Sequence, residues 1–123
     1  MPSWCTNTIL ISGDHKEILD FAIDVKNNKD KLFEWLLPLR QRHYEDTESI
    51  ASYWGSKCEA SDVSVHIFEC YPKDETKSLL QLTFRSAWCP PDGVLRRLYF
   101  KYENFKFEFA YDSEGYYVPE LLD

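Results

Sequence analysis

The apolar positions of this chain switch between a period of two and a period near 3.6, and the switches mark its elements. Residues 4–12 (WCTNTILIS) are β-prone and run into a turn at Ser12-Gly13-Asp14. The following HKEILDFAIDVKNN places Ile18, Phe21, Ala22 and Val25 at helical spacing, with Asp14 as N-cap and Asn27-Asn28 as the stop. Residues 61–70 alternate again, with Val63, Val65 and Ile67 on one face and Ser64, His66 and Phe68 on the other. A turn through Pro72 to Thr76 leads into SLLQLTFRSAW, which sets Leu80, Leu82, Phe84 and Ser86 on one face and Gln81, Thr83 and Arg85 on the other. Pro90-Pro91 opens a second helix with an apolar stripe of Val94, Leu95, Leu98, Tyr99 and Tyr102, ending at Asn104. The last strand, FKFEFAY, points Phe105, Phe107, Phe109 and Tyr111 inward and Lys106, Glu108 and Ala110 outward. The tail DSEGYYVPELLD is expected to turn at Gly115 and to end as an acidic terminus.

Residues 30–57 fit neither period for long. Leu32, Phe33, Trp35, Leu36 and Leu37 form an apolar knot that breaks at Pro38, and the charged RQRHYEDTE after it reads as surface loop. SIASYWGSK then reads as a short helical segment ending near Gly55. This stretch is expected to be an insertion covering one edge of the core. The whole order is β, α, insertion, β, β, α, β. That is the split βαβ arrangement: an α+β ferredoxin-like sandwich with a four-stranded antiparallel sheet, two helices on one face and strand order near 4-1-3-2. With 123 residues, one domain over 1–123 is the expectation.

Composition narrows the function classes. Aromatics make up 16% of the chain, enough to build a core without cross-links. Fourteen Lys and Arg against twenty-one Asp and Glu give a formal charge of −7, which opposes general affinity for nucleic-acid phosphates and suits docking on a basic protein surface. Cys5, Cys58, Cys70 and Cys89 form no CxxC pair and no iron–sulfur spacing, so the expectation is free, mostly buried thiols in a reducing cytoplasm, with no metal and no cofactor. His15, His43 and His66 fall in three different elements, and Cys58 with His66 is the one pairing that invites thought of a nucleophile. No apolar run approaches membrane-spanning length.

Two motifs are candidates for chemistry. Trp54-Gly55-Ser56-Lys57 lacks the glycine density of a phosphate loop and reads as a tight turn with Gly55 at positive φ. Trp88-Cys89-Pro90-Pro91 ends a strand and opens a helix, where an aromatic beside a helix start suits an anion or a partner carboxylate. If these motifs meet at one end of the sheet, Trp54, Lys57, Trp88, Tyr111 and Glu114 would form a small polar pocket for a small molecule or nucleotide. The uncovered sheet face is expected to carry Thr8, Leu10, His66, Phe68, Gln81, Thr83, Arg85, Lys106 and Glu108, too mixed for an RNA-stacking platform. Acidic surface candidates are Glu45, Asp46, Glu48, Asp74, Glu75, Asp112 and Glu120.

Four separated segments resemble one family. Pro2 with Trp4-Cys5-Thr6-Asn7, Phe33 through Pro38, Trp54-Gly55-Ser56-Lys57 and Phe84 through Pro91 (FRSAWCPP) resemble, in order, motifs of the YubB ferredoxin-like domain proteins. Tyr111 and Glu114-Gly115 are similar to that family's closing segment, while Cys58 stands where it has a second Trp. The family is encoded on bacteriophages, prophages and plasmids, so the resemblance implies cytoplasmic expression in a host bacterium and no named enzymatic activity. With the acidic charge, it leads to an expectation: a non-enzymatic accessory protein, monomer or homodimer, that binds a host protein. The expected target is a nucleic-acid-binding defence complex such as CRISPR–Cas, inhibited by an acidic surface that mimics DNA, with no membrane and no direct nucleic acid bound.

Overall fold

The alternation of the strands becomes the two faces of one sheet in the computed structural model, which describes residues 4–40, 47–56, 58–68, 76–113 and 116–122. Strand β1 (Trp4–Asp14) buries Cys5, Asn7, Ile9 and Ile11 and leaves Thr6, Thr8, Leu10 and Ser12 half-buried on the other side. Helix α1 (His15–Asn27) starts where the Asp14 carboxylate accepts the backbone N–H of Lys16 (3.2 Å) and of Glu17 (3.4 Å), satisfying two of the helix's free donors. Its buried stripe is Ile18, Phe21, Ala22 and Val25, as the spacing requires. Strands β2 (Ser61–Phe68) and β3 (Lys77–Ala87), helix α4 (Asp92–Lys101) and strand β4 (Lys106–Ser113) follow, with Val94, Leu95 and Leu98 buried under α4.

The sheet runs β2-β3-β1-β4-β5, every neighbouring pair antiparallel. Its first four strands keep the order expected of a ferredoxin-like sheet. The fifth corrects the reading of the tail: Tyr116–Leu122 is not merely an acidic end but strand β5, paired outside β4 with Val118 opposite Tyr111 and Pro119 opposite Ala110. Tyr116, Tyr117 and Val118 are strong β-formers, and Pro119 is tolerated because β5 is an edge strand.

The expected helical insertion between α1 and β2 is present, and only its place in the packing is corrected. After a 3-10 turn at Lys29–Lys31, helix α2 (Leu32–Leu36) and helix α3 (Thr47–Trp54) form. Leu32, Phe33, Leu36 and Trp54 join the main core rather than capping one edge of it. Phe33 packs edge-on against Trp54 at 5.6 Å and against Phe84 of β3 at 5.5 Å. Helix α2 is only five residues long, and Glu59 holds its start from a distance. One carboxylate oxygen accepts Phe33 N–H at 2.6 Å, and the other accepts Glu34 N–H at 3.0 Å. All helices therefore pack on one face of the sheet. The opposite face carries the expected residues, from His66 and Phe68 on β2 to Glu108 and Lys106 on β4.

Candidate functional site

The two tryptophan motifs do meet at one end of the sheet. Trp88 has φ 72°, and Cys89 N–H donates to Ala87 C=O at 2.9 Å across it. This is a γ-turn of the strained positive-φ kind, which a bulky side chain adopts only when its surroundings impose it. A polar chain that starts at a buried amide does so. The Asn7 amide, wholly buried, donates to Ser86 Oγ at 2.9 Å; Ser86 Oγ donates to Cys89 C=O at 2.6 Å; Cys89 Sγ donates to Gly55 C=O at 3.4 Å. The strand–turn–helix corner is thereby tied to the turn after α3. Gly55 sits at φ +83°, and a Cβ on it would lie 2.5 Å from Asp92 N. A Cβ on Gly93 would collide with the Tyr53 carbonyl, so α3 crosses α4 at backbone contact.

Ala51, Gly55, Ser56, Ala87, Trp88 and Cys89 line a cavity of about 430 Å³ at this corner, with Trp88 half exposed. Of the expected pocket residues, Trp88 lines this cavity, whereas Trp54 and Tyr111 do not. Trp54 is 5% exposed and belongs to the core, its Nε1 donating to Leu37 C=O at 2.8 Å. A tryptophan so enclosed fills volume and has no face left for a ligand. Tyr111 lies beside Asn7 in the register on the helix side and stacks on Phe109 at 5.8 Å. Lys57 and Glu114 lie outside the described residues.

The thiols differ from expectation in place. Cys5 is buried, but Cys58 and Cys89 are exposed; Cys70 lies outside the described residues. Burial pushes the Cys5 thiol up from 9.0 to about 11, and partial burial also raises Cys58 and Cys89. Raised thiols are poor nucleophiles at neutral pH, because the thiolate is the reactive form. His66 packs edge-on against Phe68 at 4.7 Å and makes no hydrogen bond with Cys58. Among the described residues no group of His, Cys, Asp and Glu is arranged to hold a metal ion, and no helix is long and apolar enough to cross a membrane.

Charge gathers in a place the acidic candidates did not name. Glu45, Asp46, Asp74 and Glu75 lie outside the described residues, as do the side chains of Glu48 and Glu120; Asp112 is exposed on β4. A groove of about 340 Å³ between α1 and the end of α4 is lined by Glu17, Asp20, Asp24 and Glu103, with Lys101 at its rim. Its floor is aromatic: Phe21 meets Tyr102 edge-on at 4.9 Å and Phe105 at 5.7 Å, and Tyr102 stacks on Phe105 at 5.4 Å. Lys101 Nζ lies 4.9 Å from the centre of the Trp35 ring and 5.6 Å from that of Tyr102, so the structure already places one cation over these rings. Burial, and then the Asp24 carboxylate, raise the Tyr102 hydroxyl above its ordinary value. The signal was in the sequence: Glu17, Asp20 and Asp24 are spaced i, i+3 and i+7, one flank of a helix.

Residues 66–118 match the family model described as a ferredoxin-like domain in Api92-like protein. The match begins within β2 and ends inside β5, so it spans β3, α4 and β4 and supports the ferredoxin-like fold of the chain. No curated protein and no solved structure matches the chain.

Proposed function

We propose that this chain is a binding domain that acts by docking on a basic surface of another protein through the acidic groove between α1 and α4. The observation that carries the reading is the grouping of Glu17, Asp20, Asp24 and Glu103 around an aromatic floor, in a chain with seven more acidic than basic side chains. Such a groove suits Lys or Arg side chains: carboxylates accept their N–H groups, and the half-buried Tyr102 ring offers a face to the cation. Clustered negative charge also speeds encounter with a basic partner, an effect that salt weakens.

The resemblance to the YubB proteins of phages, prophages and plasmids supplies the setting for this proposal: a cytoplasmic accessory protein in a host bacterium. The proposed target is a host protein whose basic channel handles nucleic acid, such as a CRISPR–Cas defence complex, and the acidic groove occupies part of that channel. The test is capture of host proteins at low and high salt by the chain and by an Asp20→Lys/Asp24→Lys variant of unchanged melting temperature. A basic, nucleic-acid-binding protein retained at low salt by the parent and lost by the variant supports the reading. Retention of nothing at any salt, or identical partners on both, refutes it.

A second reading rests on the strained Trp88 beside the 430 Å³ cavity. Strain at a half-exposed aromatic is a recurrent mark of ligand sites, and the cavity has the size of a small-molecule pocket. A thermal-shift screen with nucleotides separates the two, since a ligand specific for the native state raises the melting temperature. A shift abolished by Trp88→Ala favours the pocket; no shift with any nucleotide removes it.

A further inference from the structure

Opposite the acidic groove, the sheet is left unfinished. β2 is an edge strand, and among the described residues no strand pairs with its outer side. Its start is blunted by a register shift between Ser61 and Ser64 and by Asp62 at φ 51°, which leaves Ser64–Phe68 as a regular edge. Val63, Val65 and Ile67 face the helices yet are only half-buried, so the apolar layer is not closed here. Helix α1 overhangs the gap. With Glu17, Asp20 and Asp24 facing α4, the 100° step of a helix puts Leu19, Ile23 and Lys26 on the other flank, over β2. Leu19 is 38% exposed and Ile23 56%.

We infer that this edge receives an extended segment of a partner protein, acidic at its ends and apolar at alternate positions, which adds a sixth strand beside β2. Addition of a strand pairs the edge's free N–H and C=O groups, and alternate side chains of the added strand close the layer beneath Leu19 and Ile23. The charge nearby selects the occupant. Lys26 on this flank and Lys29 and Lys31 in the 3-10 turn that packs against β2 are all exposed; Asp30 is the one exposed carboxylate among them, and Asp62 is paired with Arg85 at 3.3 Å. A basic rim in an acidic chain favours an acidic segment. It disfavours a second copy, because two-fold pairing of β2 would bring the lysine-bearing flanks of two α1 helices together.

The test uses two synthetic peptides with the same core of alternating valine and threonine, one with glutamates at both ends and one with lysines. Hydrogen exchange of the Ser64–Phe68 amides is read for each, with sedimentation of the free chain as control. The glutamate-ended peptide should slow exchange of the outward-facing β2 amides roughly tenfold or more, and the lysine-ended one should not. Leu19→Ser/Ile23→Ser, both at exposed sites, should weaken binding about tenfold. Lys26→Glu/Lys29→Glu/Lys31→Glu should reverse the preference between the two peptides. The proposal is overturned if neither peptide protects β2, if both protect it equally, or if β2 becomes protected by dimerisation of the chain alone.

Discussion

Three side chains show how single residues hold this molecule. Asn7 is an amide on the buried face of β1, and it satisfies itself by donating to Ser86 Oγ and to the carbonyls of Cys5 and Phe84. Cys5, two residues earlier, is held as a thiol by burial, and this gives stability a pH dependence. A group whose folded value is raised contributes fully below its ordinary value and loses that contribution as pH climbs through the folded one. Stability should therefore fall between pH 9 and 11. At about 1.4 kcal/mol per pH unit the loss is about 2–3 kcal/mol, and Cys5→Ala should lose that much less than the parent when the two are unfolded in urea across that range. Glu59 is the third. Its carboxylate stands in for the cap that α2 lacks, so Glu59→Ala should cost about 2 kcal/mol, while Glu59→Gln, which keeps one acceptor, should cost less. Thermal unfolding of both variants measures this.

At the scale of elements, legibility followed local period. The four core strands and the two crossover helices were readable because each holds one period for long enough to show a face. Strand β5 was not, because Pro119 interrupts the run and an edge strand needs no buried face to form. The part played by α2 was hidden for another reason. Leu32, Phe33 and Leu36 look like a hydrophobic knot without a partner, and their partners, Trp54 and Phe84, are remote in sequence. If α2 and α3 complete the core, Phe33→Ala should destabilise by about 3–5 kcal/mol, as a core aromatic does; a mere edge cover would lose much less. Gly93→Ala tests the α3–α4 crossing. The added methyl must displace the Tyr53 carbonyl, so the variant should lose about 1–3 kcal/mol although alanine favours helices. Trp54 was misread as a binding residue for the same reason as α2: a turn motif announces its glycine, not the wall its tryptophan packs against.

At the scale of the whole molecule, the charges of the described residues around α1 are sorted to its two flanks. Carboxylates gather on the α1 flank that faces α4, over an aromatic floor, while exposed lysines gather on and beyond the other flank near the open β2 edge. Net charge alone pointed to a partner with a basic surface, and the proposal places that contact at the groove between α1 and α4. The fold adds depth, since a groove admits side chains where a flat acidic face only attracts them. The most direct measurement is a titration of the isotopically labelled chain with an arginine-rich peptide at low salt, followed by amide NMR. The account predicts shifts concentrated at Glu17, Asp20, Asp24 and the segment from Lys101 to Phe105, lost at high salt and lost in Asp20→Lys/Asp24→Lys. Shifts scattered over the whole surface, or unchanged in that variant, would contradict it.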